Sequence, residues 1–291
     1  MKTIHYALLL VAISSAACKK PHYPPHTGKC PEPANCQLTV MHTTQGNGPR
    51  SGGLPENSAE ITRDAANRPI KYRGYATAWE APTVNNISYP GNRMVLTDSA
   101  SGQKQMEVWL NACGQPDSLA WYALGTTYDH PHQVYYHYNA DKKLTGFRSV
   151  YNAFTPYQTV HNIDIKRDAH GNVLEMTDGM TFVKWTYDYS KPTPPLQFGY
   201  QSSVTAYWSS TIILEQFGLI DFRPRHLPKT KQDCMNGYVF TPTMFTNFVI
   251  SGEKLLSYEV WAKPEESTEW LYGNTITLTW NCRGYSGGPK F

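Results

Sequence analysis

No apolar stretch of the sequence reaches the roughly 20 residues that a bilayer-spanning helix requires, which excludes a helical membrane domain. Charge is scarce as well, with Lys, Arg, Asp and Glu making up 17% of the chain and a formal net charge of +3. Lys19-Lys20 and Lys142-Lys143 are the only adjacent lysine pairs, so the basic stripe of a nucleic-acid binder is missing and nucleic acid is not an expected partner. The Gly-rich phosphate loop and His-Glu-x-x-His do not occur, and with them go two local routes to catalysis. No catalytic residue and no cofactor is assigned.

What the chain does have begins at its first residues. Lys2 precedes an apolar run from Ala7 to Ile13, and the small residues Ser14-Ser15-Ala16-Ala17 abut Cys18, which is the layout of an export signal. Ser15 and Ala17 suit an ordinary leader peptidase. Small residues followed by cysteine also resemble a bacterial lipobox, with Ser15 standing where leucine is usual. That resemblance implies a signal peptide over 1–17, acyl chains such as palmitate on Cys18, and a membrane held through lipid. Several chains make such an anchor stable, at about 0.8 kcal/mol per buried methylene. No Asp follows Cys18, which by the sorting habits of Gram-negative lipoproteins implies the outer membrane.

Cysteine use fits an oxidising compartment. With Cys18 lipidated, Cys30, Cys36, Cys113, Cys234 and Cys282 remain, enough for two disulfides and one thiol. Cys30 with Cys36 is the local pairing and Cys234 with Cys282 the distant one, leaving Cys113; spacing alone leaves the connectivity open.

From Lys19 to Asn57 the chain holds seven Pro and five Gly and reads as a tether over 18–57. A single β-rich domain is expected over 58–285, followed by a tail at 286–291. Its main signal is alternation, clearest in Thr275-Ile276-Thr277-Leu278-Thr279-Trp280-Asn281, the period-2 pattern of a strand with one wet face. Strands are expected near Ile70–Trp79, Arg93–Thr97, Gln105–Leu110, Val134–Tyr138, Leu144–Tyr151, His161–Lys166, Val173–Thr177, Thr181–Tyr189, Tyr238–Thr241, Met244–Ile250 and Leu255–Ala262. One helix is expected near 209–218, capped by Ser209 and ended by Gly218, with a loop over Arg223 to Lys229.

Several turns look alike. Arg63-Asp64-Ala65-Ala66-Asn67 lines up with Arg167-Asp168-Ala169-His170-Gly171, and Asn139-Ala140-Asp141-Lys142-Lys143 is a looser copy. In each, Asp or Asn can bond the turn backbone and a following residue tolerates positive φ. The Tyr-Asp and Tyr-Asn strands around Tyr138 and Tyr187 resemble the repeats of RHS-like proteins. The order of leader, Cys, tether, Tyr-Asp hairpins, short helix and final strands resembles an uncharacterised family of Gram-negative lipoproteins. That resemblance implies a mainly β fold: a large antiparallel meander forming a strongly curved, porin-like sheet or partly open barrel.

Candidate sites are few. Tyr136, Tyr138, Trp185, Tyr187 and Tyr189 are the aromatics best placed to stack on a ligand, although cross-strand packing is the ordinary use of such rings. His130 and His132 are weak metal candidates, because ligand-spaced partners are missing; His22, His26, Cys30 and Cys36 also mimic a zinc site, but in an exported chain the two cysteines are expected to oxidise. Glu265, Glu266 and Glu269, or Asp164 with Asp168, are the carboxylates available for glycan hydrolysis. The reading is therefore a lipid-anchored, non-catalytic binding or scaffolding domain whose partner is a glycan or an envelope protein. An envelope glycan hydrolase and an integral outer-membrane barrel are the alternatives.

Overall fold

The computed structural model describes residues 36–45, 58–74, 83–122, 132–151, 158–193, 209–235, 237–240, 242–252, 254–263 and 268–282. The leader, Cys18, Cys30, His130, the glutamates at 265 and 266 and the tail lie outside them. The first strands are β1 (Cys36–Gln45), β2 (Ser58–Arg63), β3 (Pro69–Gly74), β4 (Thr83–Ser88), β5 (Arg93–Asp98) and β6 (Lys104–Leu110). They continue as β7 (Pro116–Trp121), β8 (His132–Tyr138), β9 (Leu144–Tyr151), β10 (Thr159–Arg167), β11 (Val173–Thr177) and β12 (Phe182–Pro192). A helix, α1 (Ser209–Gln216), leads to β13 (His226–Met235), β14 (Tyr238–Val239), β15 (Thr243–Ser251), β16 (Lys254–Ala262) and β17 (Leu271–Cys282).

Neighbouring strands pair antiparallel in chain order, with short β14 inserted between β13 and β15. β1 bonds β2 on one side and β17 on the other, so the meander closes into a 16-strand antiparallel barrel. Closure leaves no row of unpaired N–H and C=O groups at an edge. β1 lies inside the stretch read as a tether. Its ten residues belong to the wall because pairing with β17 buries Leu38 and Met41.

Alternation assigns the two faces of the wall. On β17, Ile276 and Leu278 are buried while Thr277 and Thr279 are exposed. Inward positions elsewhere are filled by Ile61, Met94, Leu96, Met106, Val108, Phe147, Ile163, Met176, Val183 and Tyr258, all in one continuous core. Outward positions carry Glu60, Lys71, Arg73, Asn86, Arg148, Asp164, Lys166 and Lys184, all exposed. The apolar side of the barrel is its inside.

Alternating chain direction puts the turns after β2, β4, β6, β8 and β10 at one end, with the β12–β13 connection and the outer ends of β1 and β17. Four of these turns share one hydrogen-bond scheme. Arg68, Gln115, Lys143 and Asn172 each donate their N–H to the side-chain oxygen of Asp64, Asn111, Asn139 and Asp168 respectively. The residue before each of the four donors, Asn67, Gly114, Lys142 or Gly171, has positive φ. The likeness seen among the Asp64, Asn139 and Asp168 turns is thus a likeness of bonding, and the Asn111 turn joins it.

α1 ends as its sequence predicts. Gly218, at φ 77°, donates its N–H to Glu215 O, and Leu219 N–H reaches Leu214 O, a Schellman closure. The cysteines pair differently from expectation. Cys36 bonds Cys282, 246 residues away in sequence, because β1 and β17 place them opposite each other. Cys234 is a buried free thiol and Cys113 is disulfide-bonded, so neither the Cys30–Cys36 nor the Cys234–Cys282 pairing forms.

Candidate functional site

The two ends of the barrel differ. At the end holding the repeated turns, α1 and the segment after it fill the interior: Ile213, Leu214, Phe217, Ile220 and Phe222 are buried in the core. The Phe217 ring meets Tyr72 edge-on at 5.4 Å, and Tyr72 donates its hydroxyl to Gln216 Oε1 at 3.3 Å. Two arginines hold this plug. Arg63 donates through Nη1 to Asn67 O at 3.1 Å and through Nη2 to Leu38 O at 3.0 Å and Gln216 O at 3.3 Å. It thereby caps orphan carbonyls at the helix C-terminus, where a cation is favoured. Burial lowers its pKa to about 10, and it stays charged. Arg167 donates to Gly171 O at 3.0 Å and to Asp221 O at 3.1 Å.

Asn172, with no exposed surface, completes the fastening. Its Oδ1 accepts from the N–H groups of Arg225 at 2.6 Å and His226 at 3.2 Å, so Nδ2 must be the donor to Asp168 Oδ2 at 2.7 Å and to His226 Nδ1 at 3.0 Å. A nitrogen that accepts carries no proton, which assigns neutral His226 its proton on Nε2.

The aromatics singled out from sequence are divided between core and turn. Tyr136 is buried and Trp185 packs against the core. Tyr138 donates to Pro116 O at 2.9 Å and Tyr187 to Val173 O at 2.7 Å, each tying its strand to the first residue of the preceding one. Tyr89, which was not singled out, does the same to Pro69 O at 2.9 Å. Burial pushes Tyr138 and Tyr187 well above the ordinary phenol range. Tyr189 alone of the five is exposed; it bonds Asp168 Oδ2 at 2.8 Å and lies 5.0 Å from the His226 ring.

At the opposite end the inner wall turns polar. Register pairs Ser149 with Val134 on one side and His161 on the other, so Ser149, His161 and His132 face inward. His132 Nε2 and Ser149 Oγ are 2.7 Å apart, and the His132 ring stacks on Tyr151 at 4.0 Å. His161 Nδ1 lies 2.8 Å from Asp178 Oδ2. Further round, the buried Lys231 ammonium and Asp233 carboxylate meet at 2.9 Å.

Burial, with His161 adding to it, pulls the His132 pKa down to about 4, so this ring is neutral near pH 7. Burial alone would raise Asp178, but the N–H groups of Thr181 and Met180 and the His161 ring hold it below the ordinary carboxylate value. A histidine oriented by a carboxylate is the base half of a catalytic triad. Here Ser149 Oγ, on a residue with no exposed surface, is paired with His132, while the Asp178 carboxylate is paired with the other histidine, His161.

Sequence reasoning found His132 as a metal candidate, but no set of three His, Cys, Asp or Glu side chains among the described residues is arranged to hold a metal. Ser149, His161, Asp178, Lys231 and Asp233 were not singled out. Only the repeated Arg-Asp turns hinted at the clamps. Gly284-Tyr285-Ser286-Gly287-Gly288 matches the Gly-x-Ser-x-Gly string of hydrolases in letters, lies outside the described residues and carries no assignment. Asp164 points outward and Asp168 is committed to its turn, which leaves no paired carboxylate of the glycosidase kind there.

No protein-family model matches the sequence, and neither does any curated protein. The barrel is similar to solved structures. A crystal structure of a porin-like protein from Bacteroides uniformis ATCC 8492 superposes with a TM-score of 0.61 at 13% identity, over 86% of this chain and 99% of that one. Another, of a porin-like protein from Bacteroides vulgatus ATCC 8482, gives 0.54 at 17% identity, over 84% and 98%. At these identities the likeness is one of fold.

Proposed function

We propose that this chain is a lipid-anchored barrel of the bacterial cell envelope that faces water on its outside and serves as a binding or scaffolding module without catalysis. The outer wall carries the reading. Lys71, Arg73, Asp164, Lys166 and Lys184 sit on it exposed, and an Arg or Lys facing lipid near the bilayer midplane costs about 2–4 kcal/mol. Charges there pair with each other, as Lys166 does with Glu175 at 2.8 Å, in the manner of a hydrated surface. The interior holds a packed apolar core and a clamped helix where a pore would hold water.

Attachment then has to come from elsewhere, and Cys18 behind its export signal supplies it. The porin-like likeness points to the outer membrane as the address. Partners are a glycan or an envelope protein meeting a barrel end. The integral-barrel alternative draws on the closed ring of 16 strands and that same likeness.

Fractionating a Cys18→Ser variant separates the two. Release as a folded protein without detergent, and no conductance in planar bilayers, is the expected result. Continued need for detergent, or ion conduction, would overturn the water-facing reading in favour of the integral barrel.

A further inference from the structure

The charges of the outer wall avoid one sector. From Cys234 to Gly252 the sequence has no Lys, Arg, Asp or Glu, and this run supplies the end of β13 and all of β14 and β15. The charges just before it, Lys231 and Asp233, face inward and hold each other at 2.9 Å. Directly opposed residues of neighbouring strands point to the same side, so register lays two uncharged rows across the outside. One row is Phe182, Cys234 and Val239; the other is Thr186, Thr230, Met244 and Trp261. Thr186 and Thr230 turn their hydroxyls on each other at 2.6 Å. Exposed Met180 and Val239, at 67% and 47%, head the sector, and Met180 is tied to it by accepting from Gly237 N–H at 3.4 Å. We propose that this sector, β13 to β15 with the facing sides of β12 and β16, is the interface of a two-fold dimer of this chain.

An exposed uncharged face on a wall that is otherwise charged marks an interaction surface, and its borders say what covers it. Lys184, opposite Gln232, lies on the β12 side, two residues from the Thr186–Thr230 pair toward the end that holds His132. Glu259, opposite Thr246, lies on the β16 side, two residues from the Met244–Trp261 pair toward the plugged end. The two opposite charges therefore stand at opposite corners about the Thr230–Met244 pair. A two-fold axis lying in the face, through that pair and across the line joining the corners, sets Lys184 against Glu259 of the partner subunit, and does so twice. Isologous contact requires this self-complementarity. Glu259 is held ready for it: its Oε2 accepts from Asn247 Nδ2 at 2.8 Å and Trp261 Nε1 at 3.2 Å. The Lys184 ammonium sits 4.3 Å over the Phe182 ring, at the edge of the face.

Size agrees. Strands about 4.8 Å apart and rows about 3.3 Å apart give a face of roughly 20 by 25 Å from β12 to β16. With the relief of its side chains that is on the order of the roughly 800 Å2 each partner buries in a stable complex. The dimer does not depend on how the chain is anchored, and it leaves both barrel ends open to other partners.

The test uses the full-length protein purified from envelopes in a mild detergent. Light scattering coupled to gel filtration is expected to give twice the chain mass. Met244→Cys, beside the axis, is expected to cross-link to its own copy in whole envelopes, read as a dimer band on a non-reducing gel, while Lys71→Cys on the charged wall is not. Lys184→Glu is expected to weaken association about tenfold or more, by setting like charges together, and adding Glu259→Lys to restore it. Met244→Cys keeps the test open should the charge reversals fail to fold. A monomer at every concentration, or cross-linking at position 71 in place of 244, overturns the proposal. A dimer indifferent to Lys184→Glu overturns the axis. A monomer whose fluorophore at Met244→Cys is quenched by lipid-borne quencher gives the face to the bilayer instead.

Discussion

Arg63 and Arg167 occupy the same position before their turns and act alike. Each donates through Nη1 to the carbonyl of the positive-φ residue four positions on, Asn67 or Gly171, and through Nη2 to a carbonyl of the plug, Gln216 or Asp221. Two copies of one Arg-Asp turn thus grip the two ends of one six-residue stretch.

Arg63→Met removes six charged donations and strands the helix carbonyls, so a loss of about 3 kcal/mol is expected. Arg167→Met, with fewer carbonyl partners, is expected to lose about 1–2 kcal/mol. Urea unfolding followed by tryptophan fluorescence measures both. Losses below 0.5 kcal/mol in each would mean the clamps are ornamental.

A Cβ on Gly146 would run into the carbonyl oxygen of Ile163 on the neighbouring strand. Gly146→Ala is expected to cost about 2–3 kcal/mol, since backbone cannot yield as a side chain does. Gly114→Ala meets nothing within 4 Å and suffers only from its φ of 72°, for about 1–2 kcal/mol. A thermal-shift ranking with Gly114→Ala the worse of the two would contradict this account.

Removing the Cys36–Cys282 bond by Cys36→Ser with Cys282→Ser frees a very long loop. On loop-entropy grounds the loss is about 5.5 kcal/mol at most. Because β1 closes the ring, amide exchange should quicken first in β1 and β17. Uniform quickening across all strands would show that the seam is not where the barrel opens.

Acid should weaken the fold through His132. Its folded pKa of about 4 lies below the unfolded value of about 6.5, so the unfolded chain binds the extra proton between those limits. Stability is therefore full above about pH 6.5 and falls toward pH 4. Asp178, depressed in the fold, adds a loss at still lower pH, as its carboxylate is protonated. Replacing His132 by Asn should flatten the pH 4–6.5 part of the profile; an unchanged slope would clear His132 of that role.

The strands legible in the sequence were those with strong alternation, such as β9, β11 and β17. β4 was missed because Val84 and Ile87 are its only aliphatics, and β7 because Pro116 opens it. The first residues of β13, up to Lys229, read as a loop because Pro228 interrupts them, and the wall accepts that proline at a register shift opposite Tyr187, where a ladder N–H is not required. Its Lys231 and Asp233 face inward against the rule for charged residues and are tolerated as a mutual pair. The aromatics were legible as residues of consequence, but their partners are carbonyls on other strands, which no local pattern records.

By itself the sequence determined the antiparallel meander, the repeated turn chemistry and the helix with its Gly218 stop, because each depends on residues a few positions apart. Only the tertiary structure decided that the sheet closes, that Cys36 meets Cys282, and that His132, Ser149, His161 and Asp178 share one end of the interior. Those relations join residues up to 246 positions apart. They follow from strand register and ring closure, which no local pattern of side chains specifies.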